Sequence, residues 1–467
     1  MNHARVKALK GNGKTVSKKA QKSGRASGTL TPQGSSSPIA SLLASPSHSN
    51  TPSRVASDDS DNEDDGDLDF DDVASSVHSA GSGPDVTDDA CSSFDVQVLI
   101  DGLLDRKRNN SSVREQYLDV YLRILRKRYN AEVHTWLDPA AATLVDIFLK
   151  DANRGTTPRE RLLSLQAYTL TLAVVEDLDV YEAGSKLLKQ MLTDEDDQDC
   201  RVQAIYALCM TTLYGGGLEE VALELMQYLV DIVQSDGESI EAHDDAVVVS
   251  AAMRGWAFVA SHVDDYADDA DSAMDAFVDQ LDSADVEIQS LAGHCIALIY
   301  ESSRNHEAET GEPFQLPYDP QRLVTRLSEL AKLSAKSVSR KNRRDLRDSL
   351  VSVVTSLERG VGPYYSTALY IPEPDSFVPS SRRTDDGRAE YGYRCKLRLG
   401  GRTALIETWS LHSRVNMMKL LFKGGLENHV FVNPVVVECL EDAEWDETLA
   451  TAEPERKPRL SAKARKR

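Results

Sequence analysis

The chain has 467 residues, room for about three ordinary domains or one long repeat array. Its 53 Lys and Arg against 75 Asp and Glu leave a net charge of −22, and 41% hydrophobic residues is slightly below the globular norm, so part of the chain is expected not to fold. No apolar run approaches the roughly 18 residues of a membrane span, the start MNHARVKALKGNGKTVSKKA lacks the core of a secretory signal, and six scattered cysteines without C-x-x-C suit reduced thiols, not a disulfide scaffold or zinc finger.

The charge is segregated. Residues 1–57 carry nine Lys/Arg and no acid, and 58–72 carry ten acids and no base. Residues 231–287 hold sixteen acids against Arg254 alone, and the last twelve residues hold seven bases and no acid. An acidic average therefore does not exclude nucleic acid, because the field beside a basic block governs encounter.

Residues 1–93 are rich in Ser, Gly, Pro and charge and read as a disordered tail, basic and then acidic. Thr31, Ser37, Ser45 and Thr51 precede prolines, and Ser57 and Ser60 precede acids, which suits phosphorylation. An unmodified tail and an organelle transit peptide are the competing readings. GNGKT at 11–15 is not a phosphate loop, since Ala8 stands where that loop needs glycine.

From 94 to 358 the pattern is helix after helix. Ser112 with Glu115 reads as a capping box ahead of Val113, Tyr117, Val120, Tyr121 and Ile124. Pro158 suits a helix start, and Gly215–Gly217 a helix stop. QAYTLTL at Gln166, QAIYALC at Gln203 and QSLAGHCIAL at Gln289 echo one another, with AVVVSAAMRGWAFVA filling a skipped slot. Periods near 40 to 47 residues, each a helix pair, mark armadillo or HEAT repeats. Ala167, Ala204, Ala251 and Ala292 would let neighbouring helices approach. The expected fold is an all-α, armadillo/HEAT-like α-solenoid.

Residues 359–440 read as a small C-terminal domain. A Pro/Gly-rich connector leads to a β-hairpin turning at Gly400–Gly401. A helix follows with Leu411, Val415, Met418 and Phe422 on one face, ending at Gly424–Gly425, and Asn433 with Pro434 opens a last short helix. Residues 441–467 read as an acidic, then basic, disordered tail.

No catalytic or dinucleotide motif is present, so no enzyme, cofactor, metal or small-molecule substrate is expected. His294 beside Cys295 reads as a packed histidine. The basic clusters carry the information. Arg340, Arg343, Arg344 and Arg347 share one helix face beside the apolar Leu346, Leu350, Val353 and Leu357. Such a stripe is a solvated face or a surface that meets phosphate, to which arginine offers two parallel hydrogen bonds. Arg394, Lys396 and Arg398 alternate on the hairpin beside Tyr391 and Tyr393. Arg414, Lys419 and Lys423 follow, and the tail adds Arg456, Lys457, Arg459, Lys463, Arg465, Lys466 and Arg467. The tail is read as ordering on RNA or, alternatively, as a nuclear localisation signal.

The chain resembles the interferon-related developmental regulator family, in a fungal-looking version. The resemblance rests on RDSL at 347–350, on Trp409 opening a helix that places Lys419, and on Gly425, His429 and Asn433 in register after it. It departs at Leu411–Ser413, where the family tends to carry arginines and only Arg414 stands nearby. The resemblance implies an armadillo-like protein without enzymatic activity. Family members are described as transcriptional co-regulators and as factors occupying the ribosome's tRNA and mRNA path. The expectation is a ribosome- and rRNA-binding regulator that restrains translation, cytoplasmic with the nucleus as a second location. The alternative is a nuclear co-regulator holding proteins on its solenoid surface.

Overall fold

The computed structural model describes residues 96–105, 109–176, 178–333, 340–363, 368–370, 389–391, 396–399 and 402–446, all within one compact unit. The expected tail at 1–93 and residues 447–467 lie outside the described residues.

Helix follows helix as the periodicity predicts: α1 (Val96–Leu104), α2 (Ser111–Lys127), α3 (Ala131–Leu137), α4 (Ala141–Arg154), α5 (Pro158–Leu172), α6 (Tyr181–Asp194), α7 (Gln198–Tyr214), α8 (Glu219–Gln234), α9 (Ala246–Ala260), α10 (Ala270–Gln280), α11 (Val286–Thr310), α12 (Pro320–Leu333) and α13 (Arg340–Arg359). They stack in two layers. In the first, α2, α5, α7, α9, α11 and α13 each pack on the next, while α4, α6, α8, α10 and α12 cover them as the second. This is the expected α-solenoid.

The repeat is written in its caps and its small residues. Thr157, Asp197, Asp245 and Asp285 each accept a backbone N–H at the start of a first-layer helix, satisfying a donor the helix cannot. Ala167, Ala204, Ala251 and Ala292 are all buried, as their recurrence predicts. At Gly255 even a Cβ would come within 2.9 Å of Cys209 Sγ on α7. The Tyr121 hydroxyl bonds Thr171 at 2.7 Å between α2 and α5, and Tyr168 repeats the contact with Thr211 at 2.8 Å between α5 and α7.

Two helix boundaries match their sequence signals and one differs. Thr157 caps α5 with Pro158 in its first turn, and α7 stops at Gly215. The capping box at Ser112 does not form, because α2 starts two residues earlier under Asn110, whose side chain accepts from Val113 N–H. Glu115 is thereby left to accept from the Thr157 hydroxyl across the layer.

The C-terminal segment begins with two short strands, β1 (Ala368–Tyr370) and β2 (Ala389–Tyr391), paired antiparallel. The hairpin pairs β3 (Lys396–Leu399) with β4 (Arg402–Leu405), Leu399 opposite Arg402, as the two-glycine turn predicts. The sequence did not signal β5 (Glu444–Asp446), which adds a third strand with Trp445 opposite Ala404. Between them lie α14 (Trp409–Phe422), a 3-10 turn over Lys423–Asn428, and α15 (Pro434–Cys439) capped by Asn433. Leu411, Val415, Met418 and Phe422 are buried, and α14 lies against α2, α5, α9 and α11. The first layer is thus covered by α14 on one side and the second layer on the other. That is why α9, AVVVSAAMRGWAFVA, is apolar nearly all round.

Candidate nucleic-acid interface

Burial decides which basic residues remain available to a ligand. On α13, Leu346, Leu350 and Val353 are buried, and the helix turns the Arg347 side chain outward, 65% exposed, 3.7 Å from Asp348. Arg344, Arg343 and Arg340 lie in the first turns of the same helix, three, four and seven residues before Arg347, while their side chains are outside the described residues. Arg398 is exposed on β3, where Lys396 is placed by backbone only. Arg394 and the tail residues Arg456, Lys457, Arg459, Lys463, Arg465, Lys466 and Arg467 are outside the described residues.

Arg414 is turned inward. Its Nε and Nη2 donate to the Ser261 carbonyl at 3.0 and 2.6 Å, and its Nη1 meets Asp442 at 3.0 Å. It ties α14 to the end of α9. Lys419 is half-buried on α14, where its charge helps hold the neighbouring, fully buried His412 well below the usual imidazole pKa, after burial and His294.

The other family-pattern residues are anchors. The Trp409 indole donates to Ser356 Oγ on α13 at 2.9 Å. The backbone N–H groups of Trp409 and Ser410 donate at 2.8 and 2.9 Å to the two oxygens of Glu301, an acid on α11. The open N-terminus of α14 is thus met by a carboxylate from the stack, which complements both its unpaired donors and its dipole. Burial raises the Glu301 pKa, and the hydrogen bonds from Trp409 and Ser410 oppose that rise.

At the far end the anchor is reciprocal. His429 Nε2 donates to the Arg126 carbonyl at 3.0 Å, which fixes the tautomer and leaves Nδ1 to accept from Asn433 Nδ2 at 3.2 Å. Asn433 also donates to the Ala173 carbonyl at 2.8 Å, and its Oδ1 accepts from Val435 and Val436 N–H. Each amide group of this buried side chain is satisfied. Arg126 Nε returns a bond to the Leu421 carbonyl at 3.1 Å, and desolvation lowers the Arg126 pKa to about 10. Gly425 lies so close that a Cβ would overlap the Arg126 carbonyl. These positions position the C-terminal segment on the stack.

Between the two ends, Tyr214, His262 and Cys439 converge. The Tyr214 hydroxyl lies 3.1 Å from His262 Nε2 and 3.2 Å from Cys439 Sγ. Burial pushes the Cys439 thiol up to about 12 and the His262 imidazole down to about 4. Both are neutral at pH 7, so the pair is not an activated thiolate and imidazolium. His294 is half-buried, bonded to Ser349 at 2.8 Å and pushed down to about 4 by desolvation, and it packs as its sequence context predicts. Among the described residues no group of three or more His, Cys, Asp or Glu is placed to hold a metal, and no helix is long and apolar enough to cross a membrane.

Sequence reasoning missed a third basic group. Arg123, Lys127 and Arg128 at the end of α2 line a cavity of about 430 Å³ with Gly424, Glu427 and Asn428 of the 3-10 turn. Lys423 opens that turn at φ 52° and ψ −137°, a conformation suited to glycine, although Gly424 and Gly425 follow it. Such backbone costs on the order of 1–3 kcal/mol. The run RILRKRY was visible as helix-end cations, but nothing in the sequence brought Lys423 beside it. Glu301 had a weak signal, an acid placed directly after the apolar run from Cys295 to Tyr300.

The family model for interferon-related developmental regulators matches residues 56–358, through the end of the helical stack. The chain belongs to the interferon-related developmental regulator family. An uncharacterized protein of Schizosaccharomyces pombe is 22% identical over 351 residues, covering 72% of this chain and 71% of that protein. The interferon-related developmental regulators are not known as an enzyme family. The family match ends before α14, so the anchoring described above rests on the geometry of this chain.

Proposed function

We propose that this protein is a non-enzymatic regulator that binds the ribosome and its RNA and restrains translation by occupying the path of tRNA and mRNA. The observation that carries the reading is the outward face of α13. Its apolar side is spent on the stack, Arg347 stands in solvent, and three more arginines follow the same spacing. The exposed Arg347, with three more arginines in helical register before it in the sequence, in a family whose members are described as ribosome-bound, favours phosphate over casual solvation. Arg398 on the hairpin and the basic tail would add further phosphate contacts in the cytoplasm, where ribosomes are met. The test is sedimentation of the full chain with ribosomes across a salt titration, comparing the parent with a variant carrying Gln at 340, 343, 344 and 347. Weaker co-sedimentation and a flatter salt dependence are expected. Equal binding at every salt would refute the assignment of this face.

The second reading, a nuclear co-regulator that holds basic protein segments, draws on the exposed acids Asp264, Asp265, Asp271, Asp275, Asp279 and Asp282 around α10. It predicts partners that survive ribonuclease treatment and a protein concentrated in nuclei.

A further inference from the structure

We infer that the cleft between the end of α2 and the Lys423–Asn428 turn is a binding site for the phosphodiester backbone of RNA. This inference rests on the RNA-binding reading above and gives it a second surface, remote in sequence from α13.

Three observations converge on it. First, the cleft has the charge. Arg123, Lys127 and Arg128 line it and Lys423 stands at the start of the opposing turn; the acids beside them include Asp119, 3.7 Å from Arg123, and Glu427 on the cavity wall. Second, it has the shape. At about 430 Å³, bounded by α2 on one side and the turn on the other, it admits a backbone phosphate with its sugar, and at Gly424, where even a Cβ would meet nothing within 4 Å, the approach is clear.

Third, Lys423 is held there at a cost. A glycine would take the φ of 52° without strain, and glycines are the next two residues, yet a lysine occupies the position. Desolvation and the charge of Arg126 both act against its protonated form, with Asp119 only partly offsetting them. A strained backbone that holds an exposed cation beside the charge of Arg126 gains nothing within the free protein. An incoming phosphate would relieve that repulsion. A phosphodiester offers anionic oxygens suited to the forked guanidinium groups of Arg123 and Arg128. Unlike a free ion, it brings a chain of phosphates that can meet the cleft and the adjoining surface together.

The test uses the full chain and a short single-stranded RNA, with affinity followed by fluorescence anisotropy across a salt titration. K423A and R123Q should each bind several-fold more weakly and lower the slope of log K against log salt by about one. K423G covers the case in which K423A folds poorly. It keeps the backbone conformation at ease, should melt no lower than the parent, and should lose the same affinity. Variants that match the parent in affinity and slope, while the parent binds RNA and the α13 variant binds it less, would overturn this site and leave the broader reading standing. A parent that binds no RNA would overturn both. If polyglutamate binds as well as RNA and is weakened equally by K423A, the cleft takes an acidic protein segment and the assignment to phosphodiester is wrong.

Discussion

The helical stack and the C-terminal segment that lies along it are held by different physics. Within the stack, one first-layer helix meets the next through buried Leu, Ile, Val, Ala and aromatic side chains, with side-chain caps recurring at the starts of α5, α7, α9 and α11. The segment from Trp409 to Cys439 also buries an apolar face, but its place is fixed at a few polar points: Glu301 at its start, Arg414 on Ser261, and the Arg126, His429 and Asn433 network at its end. Apolar burial is non-directional and tolerates many neighbours, whereas a buried hydrogen bond is either made or costly. The stack therefore sets overall stability, and the polar points set where the segment sits.

The largest effect should come from the stack. Trp256 on α9 is buried with its ring edge-on to Phe277 at 4.7 Å and Tyr266 at 5.9 Å. W256A should cost about 3–5 kcal/mol and lower the melting of the whole protein, because the void lies between the layers. If thermal melting shows loss of the C-terminal segment alone, the division drawn here is wrong.

Acid should act next, and mostly on the segment. His262, His294 and His429 are each held near pKa 4 by burial, with a free histidine near 6.5, and all three touch the segment or belong to it. The native state binds fewer protons than the unfolded chain in that window, so stability is full above about 6.5 and is lost as pH falls toward 4. Going from pH 7 to 5.5 should cost roughly 1 kcal/mol for each histidine. His412, held well below the usual imidazole pKa, adds to the same loss, and Glu301, whose pKa is raised, works the other way, but one carboxyl does not offset four imidazoles. Hydrogen exchange should report opening of 409–439 before the helices of the stack. A flat pH profile down to 5 would show that these histidines are not the neutral, buried groups described.

The same contrast explains what could be read from the sequence. The stack was legible because its chemistry is periodic: Ala167, Ala204, Ala251 and Ala292 recur, Pro158 opens a helix, and Gly215 closes one. The hairpin was legible from two glycines between alternating residues. Asn433 was legible as the cap of α15, but its bond to Ala173 and the anchoring roles of Trp409, Gly425 and His429 were not, because a buried donor and its acceptor lie far apart in the chain. His429 meets the Arg126 carbonyl 303 residues away, and Trp409 N–H meets Glu301 108 residues away. For the same reason Arg414 read as a candidate ligand contact although it is spent on Ser261 and Asp442. The third strand at Glu444–Asp446 escaped notice because a three-residue acidic strand carries no alternation to detect.

Asn433 tests the polar points one at a time. N433A removes the cap of α15 and leaves the Ala173 carbonyl and His429 Nδ1 without their donor. The expected cost is roughly 2–4 kcal/mol, confined to the segment. Exchange should quicken at 429–439 while α7 and α9 stay protected. Uniform loss of protection across the stack would mean that segment and stack unfold as one unit.

The smallest effect on stability should come from the surface that neither region uses. R347Q removes a side chain that is 65% exposed and whose described ion pair is a 3.7 Å contact with the adjacent Asp348. An exposed pair of this kind contributes little, so unfolding should move by less than about 0.5 kcal/mol. Its buried neighbours Leu346 and Leu350 are untouched, and α13 keeps its place on α11 and α12. Affinity for ribosomes should nevertheless fall, with the salt slope reduced by about one, since one phosphate contact is lost. Stability and binding are thereby separated on a single side chain. A variant that unfolds more easily and binds as before would place Arg347 among the anchors and take away the observation on which the ribosome-binding proposal rests.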